Sequence, residues 1–141
     1  MKMYSPVIAV VLCCASWPAA ALGLVDGKLS PCPSAPHCVS SQSADPAHGV
    51  APLAFTGEPA AAWARLKAVL AKIPRLKIVE EKDGYLRLVA TSKIMRFKDD
   101  VEFALLPGAT AIEVRSSSRI GYHDMGANRK RVESIRRLLT P

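Results

Sequence analysis

Residues 76–118 read LKIVEEKDGYLRLVATSKIMRFKDDVEFALLPGATAIEVRSSS and contain four segments with the features of β-strands. In the third segment, apolar Val101 and Phe103 alternate with acidic Asp100 and Glu102. An alternation with a period of two is typical of an antiparallel sheet that has one face covered and one face in water. The predicted strands are 76–81, 85–92, 100–106 and 110–117.

Turn chemistry joins these strands, and a predicted helix lies on each side of them. Lys82-Asp83-Gly84 and Pro107-Gly108 favour hairpin turns. The first helix, 58–73, has the apolar stripe Trp63, Leu66, Leu70 and Ile73, and the second, 124–139, has Val132, Ile135 and Leu139. The order α-β-β-β-β-α predicts an α+β two-layer sandwich, in which two helices cover one face of a four-stranded antiparallel sheet.

The outward face of this predicted sheet is charged. By alternation it carries the side chains Arg87, Glu102, Glu113 and Arg115. Opposite charges on neighbouring strands form cross-strand pairs. We therefore expect a solvated ladder of ion pairs there, and the alternative is a platform for a ligand.

Residues 22–57 differ in composition from the rest of the chain, because Pro, Ser, Ala and Gly dominate and no periodicity is sustained. We predict an irregular arm that belongs to the same domain as residues 58–141. Cys32 and Cys38 are the two cysteines of this arm, and in an oxidising compartment they would form a disulfide. The alternative is a metal site with His37 and His48, but the spacing matches no usual zinc pattern, so no metal and no cofactor is predicted.

Residues 1–21 have the features of a secretory signal peptide. Lys2 supplies a positive start, an apolar run occupies 7–15, and small residues at 19–21 offer a cleavage site near Ala21. We expect export to the periplasm or the extracellular space; the alternative is that the segment is retained as an anchor.

The net charge of +7 suits anionic partners, such as a membrane surface or an envelope component. Export argues against nucleic acid as a partner.

Polar side chains concentrate in residues 116–131, which read SSSRIGYHDMGANRKR. Guanidinium groups near a helix N-terminus bind phosphate or carboxylate. We therefore expect a non-catalytic domain that binds an anionic ligand. The alternatives are a small hydrolase or transferase that uses the same cluster, and a structural partner of a membrane protein. The candidate ligand-binding residues are Arg115, Arg119, Tyr122, Asp124, Asn128 and Arg129.

Two features of this cluster decide whether it can bind a ligand. Asn128 lies on the apolar stripe of the second helix, so its amide is expected to be buried and hydrogen-bonded. Arg115, Arg119 and Arg129 would repel one another if they were gathered without a counter-charge. The binding hypothesis therefore requires that at least one of these guanidinium groups is unpaired and points into a concavity.

Three stretches of the chain resemble the domain of unknown function 1499 family. They are CPSAPHCVSS at 32–41, RFKDDVEF at 96–103 and RSSSRIGYHDMGANRKRVESIR at 115–136. Members of this family occur in bacteria, with relatives in plants and algae, commonly behind export or organelle-targeting segments. The resemblance therefore implies a compartment, and it implies no activity, cofactor or catalytic residue. His37 stands where the family usually has Asn, which argues against His37 as a metal ligand.

Overall fold

The computed structural model describes residues 22–140, so the signal peptide predicted at 1–21 lies outside the described residues. Eight strands and two helices follow one another along this part of the chain. They are β1 (Leu24–Val25), β2 (Lys28–Leu29), β3 (Cys38–Ser40), β4 (Leu53–Ala54), α1 (Pro59–Leu70), β5 (Leu76–Lys82), β6 (Tyr85–Thr91), β7 (Lys98–Ala104), β8 (Ala111–Ser118) and α2 (Ala127–Leu139).

The main sheet is antiparallel and is built around the four predicted strands. Strands β5, β6, β7 and β8 form a meander, in which each strand pairs with the next along the chain. The predicted α+β class is confirmed, but the predicted number of strands is wrong, because the sheet has six strands. The short strands β3 and β4 of the arm both pair with β8. They escaped prediction because two or three residues are too few to show a period.

The core lies between the helices and one face of the sheet. Leu66 and Leu70 of α1 are fully buried, as the predicted stripe requires, and Val132 and Ile135 of α2 pack against the same face. The sheet contributes Leu86, Leu88, Val101, Phe103, Ile112 and Val114. Full burial of an aliphatic or aromatic side chain stabilises a fold by about 1.5–3 kcal/mol. This layer therefore fixes which strand residues face the helices.

The opposite face of the sheet is covered in part by the arm, and the predicted solvated ladder is wrong there. Glu102 and Arg115 are 0% and 5% exposed. The β1–β2 hairpin covers this half of the face, where Leu29 packs against Tyr85. Of the other two predicted ladder residues, Glu113 accepts a hydrogen bond from Ser41, and Arg87 lies on the half that stays open.

The predicted disulfide between Cys32 and Cys38 is confirmed, with a Cα–Cα distance of 5.6 Å. It ties Cys32 to the first residue of β3, the strand of the arm that lies at one edge of the sheet. Both sulfur atoms are used in this bond. The alternative metal site with His37 and His48 therefore has no thiolate ligands available.

Candidate functional site

The sheet divides the six candidate ligand-binding residues between its two faces. Arg115 and Arg119 contact the carboxylates of Glu102 and Asp100, on the face away from the helices. Asn128 lies on the helix side of the sheet. The single cluster expected from chain connectivity is therefore not formed.

Asn128 is fully buried, as its place on the apolar stripe predicted. Its Oδ1 atom accepts hydrogen bonds from the Ser116 hydroxyl, at 2.6 Å, and from Arg131 Nη1, at 2.8 Å. Its Nδ2 atom donates to Ser118 Oγ, to Asp124 Oδ2 and to the backbone carbonyl of His37. The amide thus joins β8, the arm and the start of α2, and it offers no free group to a ligand.

Asp124 caps α2 from outside the helix. The helix begins at Ala127 rather than at Asp124, and Gly126 occupies the N-cap position with φ 76°. The Asp124 carboxylate accepts backbone hydrogen bonds from Gly126, at 2.8 Å, and Asn128, at 3.0 Å. Partial burial raises the pKa of Asp124, but the hydrogen bonds from Asn128 and Gly126 outweigh it and hold the pKa below its ordinary value.

Each of the three guanidinium groups in the predicted cluster has a partner within the protein. Arg115 pairs with Glu102 at 3.0 Å. Arg119 holds both oxygens of Asp100, at 2.8 and 2.9 Å. Arg129 donates to backbone carbonyls of the arm, at residues 47 and 49. The requirement for an unpaired guanidinium is therefore not met by these three residues.

The remaining polar groups of the predicted loop are not arranged for nucleophilic catalysis. Tyr122 is exposed to solvent. His123 accepts a hydrogen bond through Nδ1 from the backbone N–H of Met125, at 3.0 Å. Within residues 22–140, the hydrogen bonds of the Asp124 carboxylate go to Gly126 and Asn128, so they do not orient His123.

A concave, basic surface lies on the open half of the sheet, over β5, β6 and β7. Its volume is about 500 Å³. We call it the basic groove. Its lining residues are Arg75, Lys77, Val79, Arg87, Val89, Thr91, Arg96, Lys98 and Arg119. Cationic side chains make up most of the polar lining, and Arg119 alone belonged to the predicted site.

Two carboxylates border the basic groove, and both are already held by arginines. Asp100 is bound by Arg119 and, at 3.4 Å, by Arg87. Glu80 is bound by Arg87 at 3.2 Å and by Lys82 at 2.6 Å. Hydrogen bonds from Lys82 and Arg87 lower the pKa of Glu80, and the hydrogen bond to Asp100 raises the pKa of Arg119.

The other four cations of the groove are unpaired. Within residues 22–140, no side-chain hydrogen bond or ion pair involves Arg75, Lys77, Arg96 or Lys98. They come as two pairs, 75/77 and 96/98, from two distant segments of the chain, so no single motif contains all four. Of the four, Lys77 alone lies on a predicted strand, 76–81, and Lys98 belongs to β7 only because that strand begins two residues before the predicted start at 100.

A second concavity, of about 450 Å³, lies between the loop at 92–97 and the loop at 119–126. The ion pair between Arg131 and Asp99, at 2.6 Å, borders it. Its rim is apolar and carries Phe97, Ile120 and Met125, which are exposed. We call it the loop cleft.

Within 22–140, no group of three or more His, Cys, Asp or Glu side chains is placed to hold a metal ion. In the same range, neither helix combines the length and the apolar character that crossing a membrane requires.

The family described as protein of unknown function (DUF1499) matches residues 28–139, and the chain belongs to it. This match confirms the resemblance. Neither the curated proteins nor the solved structures include a match to this chain. The structure brings the three stretches that carry the resemblance into contact. The carbonyl of His37 accepts from Asn128, and Asp99 pairs with Arg131.

Proposed function

We propose that this member of the DUF1499 family is a non-catalytic domain that binds an anionic ligand in the basic groove. The observation that carries the proposal is the set of four unpaired cations, Arg75, Lys77, Arg96 and Lys98, around one concavity. Like charges gathered on one surface raise the local potential, and a ligand of opposite charge lowers it. Guanidinium and ammonium groups are the side chains that proteins use for phosphate and carboxylate.

The carboxylates near the groove do not compete for these four cations. Asp100 and Glu80 are engaged by Arg87 and Arg119, or by Lys82 at the groove's edge. These ion pairs use Arg87, Arg119 and Lys82 and leave the other four cations without a counter-charge. An anion can therefore bind without first displacing an internal partner.

The backbone of two groove residues supports the same proposal. Arg75 and Arg96 both have φ of 58°, in the left-handed region that residues with a Cβ atom seldom occupy. A residue held there costs on the order of 1–3 kcal/mol, and such residues cluster at functional sites. Two of the four non-glycine residues with positive φ in 22–140 therefore line the groove, and the other two, Asp26 and Met125, lie outside it.

The compartment assigned to this activity is also a proposal. Residues 1–21 lie outside the described residues, so export rests on the signal-peptide features of the sequence. In the periplasm or outside the cell, the anionic ligands available to the basic groove include phosphorylated lipids and acidic polymers of the envelope.

The test is a calorimetric titration of the oxidised protein with inorganic pyrophosphate at low and moderate salt. The groove variant replaces two exposed strand lysines, Lys77→Ala with Lys98→Ala. The matched control, Lys28→Ala with Arg137→Ala, removes the same charge from exposed positions outside the groove. We expect affinity to fall by about tenfold or more in the groove variant, at roughly 1 kcal/mol or more per charge-assisted contact, and to change by less than about twofold in the control.

Two results would overturn the proposal. One is the absence of any pyrophosphate binding by the wild-type protein at low salt. The other is an equal loss of affinity in the groove variant and the control, because that would indicate a response to net charge alone.

A further inference from the structure

We infer that the end of the sheet formed by the loops at 92–97 and 119–126 docks on the surface of an anionic lipid bilayer. The inference rests on the proposed function, because it names phospholipid headgroups as the source of the anion that the basic groove binds. It goes further by adding the loops as the part of the protein that enters the membrane interface.

The two loops carry a concentration of exposed apolar side chains. Ile94 and Met125 are each 84% exposed, which is more than any other large apolar residue in 22–140. The whole set is Ile94, Met95, Phe97, Ile120, Tyr122 and Met125. Exposed apolar side chains concentrated in two neighbouring loops of a small domain indicate a protein or membrane contact.

Hydrogen bonds hold the two loops side by side. The backbone N–H of Ser92 donates to the carbonyl of Phe97 at 2.9 Å, which closes the first loop and leaves Ile94 and Met95 at its tip. The backbone N–H of Arg119 donates to the carbonyl of Lys98 at 3.1 Å, which joins the bases of both loops. The loop cleft lies between them, so the apolar side chains share one end of the sheet.

The basic groove opens at this same end. Arg96 stands between Met95 and Phe97 in the first loop, and Lys98 and Arg119 lie where the loops join the sheet. Arg75 lies beside them, since its carbonyl accepts from the backbone of residue 91 at 2.9 Å. The apolar side chains of the two loops therefore lie next to the cationic side chains of the basic groove.

The carboxylates at this end are all occupied within the protein. Asp99 pairs with Arg131, Asp100 with Arg119, and Asp124 bonds to the start of α2. None of the three projects as a free negative charge toward an approaching surface. The charge pattern therefore complements an anionic bilayer rather than a neutral bilayer or a basic protein.

The chemistry of a bilayer interface fits this arrangement. Apolar side chains enter the boundary between headgroups and acyl chains, while lysines and arginines meet the phosphates. Tyr122 has an apolar ring and a polar hydroxyl, which is the combination enriched at that depth. Both parts of the surface would thus be satisfied in one orientation of the domain.

The test is co-sedimentation of the oxidised protein with vesicles of phosphatidylcholine alone and of phosphatidylcholine mixed with phosphatidylglycerol. The loop variant is Ile94→Ser with Met95→Ser. The matched control is Val25→Ser with Leu138→Ser, which changes exposed apolar residues elsewhere. We expect binding to the anionic vesicles only, reduced on the order of tenfold in the loop variant and unchanged in the control.

A parallel titration with pyrophosphate separates this inference from the proposed function. We expect the loop variant to bind pyrophosphate like the wild-type protein, since the groove lysines are intact. If the wild-type protein binds pyrophosphate but no vesicles, the membrane inference is overturned and the proposed function stands. Vesicle binding that is equal in the loop variant, or equal for the two lipid compositions, also overturns the inference; failure of both ligands overturns both proposals.

Discussion

Glu102 and Arg115 face each other across β7 and β8, and their ion pair is buried. The Glu102 carboxylate also accepts hydrogen bonds from the Tyr85 hydroxyl, at 2.8 Å, and from the backbone N–H of Gly23, at 3.1 Å. Burial and the hydrogen bond to Glu102 raise the pKa of Tyr85, so the phenol stays neutral beside this carboxylate. The single carboxylate of Glu102, on β7, is therefore bound by residues of the arm, of β6 and of β8.

Removal of that charge is expected to destabilise the protein strongly. Glu102→Gln keeps the shape of the side chain but leaves the Arg115 guanidinium buried without a counter-charge. Breaking a buried pair in this way costs about 3–5 kcal/mol. Urea denaturation followed by circular dichroism measures the change in the free energy of unfolding.

The control for this prediction is an exposed ion pair on α2. Glu133 pairs with Arg136 at 3.0 Å, and its side chain is 40% exposed. Glu133→Gln is expected to change the free energy of unfolding by less than about 1 kcal/mol. Similar denaturation midpoints for Glu102→Gln and Glu133→Gln would contradict the assignment of the first pair as a buried one.

Loss of the Asn128 amide is expected to cost more than loss of its charged neighbours. Asn128→Ala removes the acceptor of the buried Ser116 hydroxyl proton and a donor to the Ser118 hydroxyl, which costs about 1–3 kcal/mol. Lys130 and Arg137 are exposed, so their replacement by alanine is expected to stay within about 0.5 kcal/mol. Thermal denaturation of the three variants checks the order, and equal melting temperatures would disprove it.

Sequence alternation predicted one face of the sheet well and the other poorly. Val101 and Phe103 were expected in the core and are fully buried. Glu102 and Arg115 were expected in water and are also buried. Alternation shows which residues share a face, but it does not show what lies over that face. The cover comes from residues 22–31, whose short strands carry no periodic signal.

The predicted site failed to assemble for a related reason. Arg119 and Asn128 are close in the chain, so a common cluster was expected. The sheet lies between them, because Arg119 follows β8 on the face away from the helices, whereas Asn128 of α2 bonds to Ser116 on the opposite face. Lys77 and Lys98 are distant in the chain, and pairing of β5, β6 and β7 brings them to one surface. Register, rather than local sequence, determines the basic groove.

Removal of the disulfide is expected to loosen the edge of the sheet. Cys38 begins β3 and pairs with Ser117 of β8, so the bond fixes the arm at that edge. Cys32→Ser with Cys38→Ser is expected to lower the free energy of unfolding by about 2 kcal/mol, the low end for a small loop. Hydrogen exchange is expected to be faster at β3 and unchanged at β6. Modification of both cysteines by a thiol reagent in the native oxidised protein would contradict the bond.

Acid is expected to weaken the start of α2 through Asp124. Hydrogen bonds from Asn128 and Gly126 overcome the effect of burial and hold the pKa of Asp124 below its ordinary value. An unfolded Asp has a pKa of about 3.9, so this group stabilises the folded state above about pH 4. That contribution is lost as the pH falls from about 4 through the lower pKa of the folded state.

Asp124→Asn is therefore expected to destabilise the protein at about pH 6. The difference in the free energy of unfolding between this variant and wild type is expected to shrink toward about pH 2 to 3. Urea denaturation across this range is the measurement, with Asp83→Asn, at an exposed turn, as the control for loss of one negative charge. A constant difference between Asp124→Asn and wild type at every pH would show that the charge of Asp124 does not support the helix.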